Sequence, residues 1–205
     1  MPDVYDIVIV GGGPAGLGAA LYGARGLHST LVIERAAAGG MLRYAGVVDD
    51  YPGIPDGIAG AELGQRMWDQ CTKFGAETVI ADATGLSLEG AVRVVHTSTG
   101  DFRAKTVILA TGGLANTLGA PGEAEFAGRG VYSYADRDYA AVAGKPVVVV
   151  GGGDSALTQA LALAEVAAKV TVVARGASLR AFEVYQQAVE NNPKVDLRLH
   201  STVQA

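Results

Sequence analysis

Short apolar segments alternate with longer segments of helical periodicity along much of this chain. Residues 5–10 (YDIVIV) form an apolar run of strand length, 14–26 (PAGLGAALYGARG) repeat alanine and leucine at helical spacing, and 29–34 (STLVIE) form a second apolar run. This order predicts a right-handed βαβ unit of about 30 residues, in which two parallel strands flank a helix. Residues 146–173 repeat the same order, so the sequence predicts two such units.

The region between the two units has a different pattern. An amphipathic helix is predicted over residues 60–76, with one apolar stripe made of Leu63, Met67, Cys71 and Phe74. From 77 to 105, alternating β-branched residues separated by glycine predict a meander that ends in a buried strand at 106–110. Residues 118–130 are rich in glycine and proline and lack periodicity, which indicates a connection between domains. We therefore predict an α/β fold with two Rossmann-like, three-layer domains, 1–117 and 118–205.

Composition and charge narrow the class of protein. The net charge is −5, from 16 Lys and Arg against 21 Asp and Glu, and no basic block is present, so nucleic-acid binding is not expected. No apolar run reaches the roughly 18 residues of a membrane-spanning helix, and no basic segment precedes the first apolar run, so neither membrane insertion nor a signal peptide is expected. Cys71 is the single cysteine, which favours a cytoplasmic location. His28, His96 and His200 lack metal-ligand spacing, so no metal site is predicted.

A glycine motif follows the first predicted strand. Gly11, Gly13 and Gly16 satisfy G-x-G-x-x-G, which brings backbone N–H groups and a helix N-terminus close to a pyrophosphate. Glu34 ends the second strand, where a carboxylate accepts hydrogen bonds from ribose hydroxyls and repels a 2′-phosphate. The motif predicts a dinucleotide site, and the alternative is a glycine-rich turn that binds nothing.

The second unit carries the G-x-G-x-x-A variant at Gly151, Gly153 and Ala156. Arg175 follows its second strand in place of an acidic residue, and a guanidinium there suits an adenosine 2′-phosphate. A simply solvated arginine is the alternative. Two dinucleotide sites, of which the first disfavours a 2′-phosphate, predict FAD at the first and NADPH at the second. The predicted chemistry is hydride transfer to the flavin, which depends on orientation and exclusion of water more than on an ionisable side chain.

These motifs, in this order and spacing, resemble those of the low-molecular-weight thioredoxin reductases, class II pyridine nucleotide-disulfide oxidoreductases. The matching stretches include YDIVIVGGGPAGLGAALYGARG, DDYPG, VILATGG, LGAPGE and GKPVVVVGGGDSA. The resemblance implies an FAD domain that is discontinuous and truncated in this sequence, an inserted NADPH domain and a homodimer. It also implies further cofactor-binding residues, at Pro14, Ala15, Arg35, Gly39, Gly40, Met41, Asp50, Ala110, Thr111, Gly112, Asp154, Ser155 and Arg180.

The sequence departs from this family where the redox chemistry is expected. Tyr134 and Arg137 stand where the family has a C-x-x-C pair that takes electrons from the flavin. Asp138 matches the acidic residue beside the second cysteine, but without thiols its proton has no evident recipient, so solvation is the simpler interpretation. Cys71 does not replace the pair, because it lies alone on an apolar helical stripe.

Smaller departures change the predicted cofactor contacts. Met41 and Asp50 replace a glutamine and an asparagine near the expected FAD. The family's H-R-R at the end of the second βαβ unit reads Ala174-Arg175-Gly176, so one of two strand-end arginines is retained there.

The leading hypothesis from the sequence is a thioredoxin-reductase-like flavoprotein without an internal dithiol. It would pass hydride from NADPH to FAD and then electrons to a small-molecule or protein acceptor. A true disulfide reductase with cysteines outside this segment, a ferredoxin-NADP reductase of the thioredoxin-reductase type and a redox-silent nucleotide sensor remain alternatives. Because the last segment, DLRLHSTVQA, suggests a strand without its partners, we expect the sequence to be a fragment.

Overall fold

The computed structural model of the protein describes residues 2–113, 116–133 and 139–204. The chain divides into two compact units, Met1–Leu114 and Ala115–Ala205. Each unit contains parallel strands covered by helices, as the repeated βαβ pattern predicts. The predicted α/β class is confirmed, and the domain division at 117/118 stays a prediction.

The first unit is built on a six-stranded sheet. Its strands, numbered in chain order together with a two-stranded ribbon of β3 and β4, are β1 (Tyr5–Val10), β2 (Thr30–Glu34), β3 (Val47–Val48), β4 (Ile58–Ala59), β5 (Glu77–Ile80), β6 (Ala83–Glu89), β7 (Val92–Thr97) and β8 (Gly100–Leu109). The sheet order is β5-β2-β1-β8-β7-β6. The pairs β5-β2, β2-β1 and β1-β8 are parallel, and the pairs β8-β7 and β7-β6 are antiparallel. The carboxyl ends of β1, β2 and β8 therefore meet at one edge, the usual position of a ligand in such sheets.

Two helices cover one face of this sheet. Helix α1 (Pro14–Arg25) begins with proline, whose missing N–H is not needed in the first turn, and helix α2 (Gly60–Lys73) connects β4 to β5. Their inner residues, including Leu17 of α1 and Cys71 of α2, form one buried apolar cluster with Ile9 of β1 and Val32 of β2. A short 3₁₀ helix, Gly40–Tyr44, lies between β2 and β3. Among the described residues, no helix is long and apolar enough to cross a membrane.

Three predictions for the first unit are wrong in detail. Residues 77–80 do not belong to the meander, because β5 pairs parallel with β2 at the opposite edge of the sheet. Phe74 lies at the C-cap of α2 and is 44% exposed, so it does not extend the apolar stripe. The predicted buried strand at 106–110 is the end of one ten-residue strand, β8, in which Ala104 is buried and Leu109 is 65% exposed.

The second unit contains a three-stranded parallel sheet. Its strands are β9 (Pro146–Val150), β10 (Lys169–Val173) and β11 (Val195–Arg198), in the order β11-β10-β9, and its helices are α3 (Tyr139–Val142), α4 (Asp154–Val166) and α5 (Glu183–Glu190). The predicted βαβ unit over 146–173 is confirmed as β9, α4 and β10. Its core joins the inner face of α4 to the middle of β10, with Leu157, Val170 and Val172 fully buried.

Candidate functional site

The loop between β1 and α1 accepts only glycine at two of its motif positions. A Cβ on Gly11, whose φ is +113°, would overlap the carbonyl oxygen of Ala110, and a Cβ on Gly16 would overlap the carbonyl oxygen of Gly11. The N–H of Gly11 donates to the Ile33 carbonyl at 2.8 Å, which fixes the loop to β2. The strand, the turn and the helix are thus packed as closely as a dinucleotide loop requires.

The N-terminus of α1 is suited to an anion. Gly13 is the N-cap, Pro14 begins the helix, and no side chain caps it. No acidic residue lies in the first turn, and Pro14 and Ala15 are exposed. The free N–H groups and the positive end of the helix dipole would stabilise a phosphate at this position.

Glu34 is held beside this loop with its carboxylate inward. Its side chain is buried, Oε2 accepts a 2.6 Å hydrogen bond from the N–H of Gly12, and Oε1 accepts a 3.1 Å hydrogen bond from the N–H of Ala36. Each carboxylate oxygen has a second lone pair, so Glu34 can also accept hydrogen bonds from ribose hydroxyls. Arg35, the next residue, is exposed.

The Gly39-Gly40 turn packs against the same loop. The N–H of Gly39 donates to the Gly12 carbonyl at 2.8 Å, and a Cβ on Gly40 would lie 2.9 Å from the Cα of Gly13. A Cβ on Gly39 would lie 2.9 Å from the Cα of Gly64, so α2 also packs closely here. The predicted residues Gly39 and Gly40 therefore lie in contact with the glycine loop, and Met41 follows them with a 42% exposed side chain.

Two other predicted segments occupy different places around the first site. Ala110, Thr111 and Gly112 follow β8, and the N–H of Ala110 donates to the Val10 carbonyl at 2.8 Å, which places this turn next to the glycine loop. Asp50 is exposed in the segment after β3, where residues 49–55 line a shallow open pocket. Among the described residues, no backbone hydrogen bond joins Asp50 to the loop.

The second loop reproduces this geometry in the second unit. Gly151 has a φ of +145°, and a Cβ there would lie 2.9 Å from the Cβ of Ala156, which occupies the third motif position. Gly153 is the N-cap of α4, again without a side-chain cap. Asp154 in the first turn accepts a 2.7 Å hydrogen bond at Oδ1 from the N–H of Phe182, and Ser155 is exposed. This hydrogen bond engages the Asp154 carboxylate, the one negative charge in the first turn of α4.

Both predicted arginines flank the second loop. The N–H of Arg180 donates to the Gly152 carbonyl at 2.6 Å. Ala174 lies 3.3 Å from the position of a Cβ on Gly152, and Arg175 follows it directly. Both arginine side chains are exposed, and within the described part of the chain neither forms an ion pair. The backbone next to the loop thus carries two exposed arginines, neither of them in an ion pair among the described residues.

The single cysteine is part of the core. Cys71 is 1% exposed, and its thiol donates to the Leu17 carbonyl at 3.0 Å. Burial raises the pKa of this thiol, which disfavours the thiolate needed for a nucleophile. Tyr134, Arg137 and Asp138, which the sequence resemblance aligns with a redox motif, lie outside the described residues.

One polar cluster was not found from the sequence. His96 on β7 contacts Asp101 on β8 through Nδ1 at 3.0 Å and Ser87 on β6 through Nε2 at 2.8 Å. The three side chains join three strands on a solvent-accessible face, where such contacts contribute little net stability. Among the described residues, no group of histidine, cysteine and carboxylate side chains is arranged to hold a metal ion.

Comparisons with known proteins match this chain to one family. The family model described as pyridine nucleotide-disulphide oxidoreductase matches residues 5–205. The chain is 41% identical over 204 residues to a thioredoxin reductase of Peptoclostridium acidaminophilum, with 100% of this chain and 65% of the relative covered. It is 39% identical over 203 residues to a bifunctional thioredoxin reductase/thioredoxin of Mycobacterium leprae, with 98% of this chain and 44% of the relative covered.

A solved structure gives the same result for the fold. The thioredoxin reductase of Lactococcus lactis superposes with a TM-score of 0.94 at 36% identity, over 98% of this chain and 66% of that one. This chain therefore spans less than two thirds of the length of these relatives.

Proposed function

Because the chain belongs to the pyridine nucleotide-disulphide oxidoreductase family, we propose that it binds FAD at its first glycine loop and NADPH at its second and acts in a flavoprotein oxidoreductase. The observation that carries this proposal is the contrast between the two loops. The first loop is hydrogen-bonded to the buried carboxylate of Glu34, and the second lies beside the backbone of two exposed arginines, Arg175 and Arg180. A carboxylate at this position favours a dinucleotide with free ribose hydroxyls, such as FAD, and an arginine favours one with a 2′-phosphate, such as NADPH.

The first site fits FAD through its glycine cradle. Positions Gly11 and Gly16 have no room for a Cβ, and the uncapped N-terminus of α1 lies behind Gly13, so a pyrophosphate can approach the backbone there. Glu34 would accept the ribose hydroxyls of the adenosine half and would repel a 2′-phosphate. The turns at 39–40 and 110–112 would continue the same groove, since both contact the loop.

The second site fits NADPH through its arginines. We propose that Arg175 and Arg180 pair with the 2′-phosphate, and that the N-terminus of α4 holds the pyrophosphate. Replacing either arginine by alanine should raise the KM for NADPH about tenfold and leave the KM for NADH nearly unchanged. Arg198→Ala is the matched control, because Arg198 is an exposed arginine of the same unit that pairs with Asp196. Equal effects on NADPH and NADH would contradict the assignment.

Bound FAD would supply the redox chemistry, accepting hydride from NADPH and releasing electrons to an acceptor. The chain's own contribution is to bind and orient the two nucleotides. We propose that electrons leave the flavin for an external acceptor without an internal dithiol. Support comes from the sequence: Cys71 is the one cysteine in the 205 residues, and it is buried.

The relatives motivate a second candidate, a true disulfide reductase. They are thioredoxin reductases, and one of them is fused to a thioredoxin, which suggests a thioredoxin-like protein as acceptor. This candidate requires a cysteine pair outside the 205 residues. Whichever acceptor is used, the family resemblance implies a homodimer and the single cysteine favours a cytoplasmic location, which light scattering and cell fractionation can check.

An anaerobic NADPH titration tests these alternatives. The protein expressed from its whole gene is loaded with FAD, and the loss of the visible flavin absorbance is followed against added NADPH. Bleaching at one equivalent per flavin supports the flavin as the only two-electron centre and an external acceptor. Bleaching only after two equivalents supports a disulfide reductase with an additional dithiol. A bound flavin that is not bleached would contradict both and favour a nucleotide sensor.

A further inference from the structure

Trp68 lies at the corner where the first loop meets Glu34. It belongs to α2, and a Cβ built on Gly12 would lie 3.0 Å from the Cζ3 atom of Trp68. The same position lies 3.0 Å from Cβ and 3.1 Å from Cγ of Glu34. The indole, the loop backbone and the stem of the carboxylate side chain therefore converge on one point.

The indole of Trp68 packs on the apolar cluster and also lies next to Gly12. The ring is half-buried and packs against the apolar cluster that contains Ile9, Leu17 and Cys71. Its Cζ3 edge faces Gly12 on the side where an added Cβ would also meet the side chain of Glu34, whose carboxylate is the ribose ligand of the proposed FAD site. Glycine at position 12 leaves the room that the indole occupies, since even a methyl group there would crowd it.

We infer that Trp68 forms a wall of the adenosine-ribose pocket and contacts the adenosine half of FAD, an inference that rests on the proposed FAD site. An indole at this corner would exclude water from the hydrogen bonds between Glu34 and the ribose, and such bonds are stronger in a drier environment. An aromatic surface also contributes contact area and stacking to a nucleoside. Trp68 is thus a positioning residue for FAD with no direct role at the reacting atoms.

The test uses the full chain freed of flavin. FAD affinity is measured by the change in the visible flavin spectrum for the unaltered protein, Trp68→Phe, Trp68→Ala and Phe74→Ala. Phe74 is the matched control, because it is an aromatic residue at the C-cap of the same helix whose ring lies 5.4 Å from the Arg25 guanidinium. Trp68→Ala should weaken FAD binding about 5- to 100-fold, Trp68→Phe only a few-fold, and Phe74→Ala not at all.

A second readout follows the unaltered protein and needs only the conservative variant Trp68→Phe as a baseline. ADP carries the adenosine and pyrophosphate without a flavin, so quenching or a shift of Trp68 emission on adding ADP reports contact with the adenosine half. The spectrum of Trp68→Phe serves as baseline, because Trp68 is the only tryptophan in the 205 residues. Adenosine 2′,5′-bisphosphate, which Glu34 would repel and the second loop would accept, should leave the emission unchanged.

The outcomes separate this inference from the proposed function. If the unaltered protein binds no FAD, the proposed function fails, and the inference fails with it. If FAD binds but ADP leaves the Trp68 emission unchanged, or Trp68→Ala and Phe74→Ala weaken FAD equally, the inference is overturned and the FAD site stands. An emission change with ADP together with selective loss of FAD affinity in Trp68→Ala supports it.

Discussion

Leu27 ends the first helix in a backbone conformation that favours glycine. Its φ is +61°, its N–H donates to the Ala24 carbonyl at 2.9 Å, and the N–H of His28 donates to the Gly23 carbonyl at 3.1 Å. This is the Schellman arrangement, in which the left-handed position after the C-cap is usually glycine. The Leu27 side chain is 93% exposed, so packing does not offset the backbone strain.

We expect Leu27→Gly to stabilise the first unit. The left-handed conformation costs an L-residue about 1–2 kcal/mol, which glycine does not incur. The greater freedom of glycine in the unfolded chain offsets about 0.5–1 kcal/mol of this gain. Removing a side chain that is 93% exposed loses almost no buried apolar area. The free energy of unfolding should therefore rise by about 0.5–1 kcal/mol.

Urea unfolding followed by Trp68 emission measures this change, because Trp68 lies in the first unit and is the only tryptophan in the 205 residues. Leu27→Ala is the control: it removes the same exposed side chain but keeps a Cβ, so the backbone strain persists. Its free energy of unfolding should rise by less than half of the glycine gain. Equal gains in both variants, or a loss in Leu27→Gly, would refute the assignment to backbone conformation.

Three further predictions address the loop, the thiol and acid stability. Gly16→Ala should abolish FAD retention, measured as flavin per chain, because its Cβ would overlap a loop carbonyl oxygen, whereas Gly18→Ala in the same helix, with open space around it, should retain full flavin. Cys71, buried and with a raised pKa, should react with a thiol reagent only as the chain unfolds, and rapid labelling of the folded protein would contradict its place in the core. A hydrogen bond from Lys105 lowers the pKa of Asp6, so this carboxylate stabilises the fold above about pH 4 and loses that effect as the pH falls. Between about pH 5 and pH 2, the free energy of unfolding should accordingly fall less steeply with decreasing pH in Asp6→Asn than in the unaltered protein. If the two proteins lose stability in parallel over this range, Asp6 does not contribute as stated.

Local patterns predicted both βαβ units correctly. The strand at 5–10 and the helix after it are confirmed as β1 and α1, and the unit at 146–173 is confirmed as β9, α4 and β10. In each case an apolar run, a glycine turn and a helical repeat follow one another within about 30 residues, so neighbouring segments reinforce one prediction. The resemblance to the disulfide oxidoreductases, based on the same segments, is confirmed by the family match over 5–205.

Pairing between distant strands could not be predicted from local patterns. Residues 77–80 have the same alternating pattern as the meander. In the structure, helix α2 leads from β4 into β5, and β5 pairs parallel with β2 at the far edge of the sheet. A strand's own sequence does not specify its partner, since backbone groups of any strand can complete either edge. The exposure of Leu109 has the same origin, because burial depends on what covers each face of the sheet.

The sequence by itself determined the two glycine loops, the acid at the end of β2 and the arginine after β10, because each depends on residue types at fixed short spacings. Only the tertiary structure decided that the turn at 39–40 and helix α2 pack on the first loop, and that Trp68 and Glu34 face the same side of Gly12. These contacts join residues about 25 positions apart or more, where no local period applies and close packing alone selects the partner.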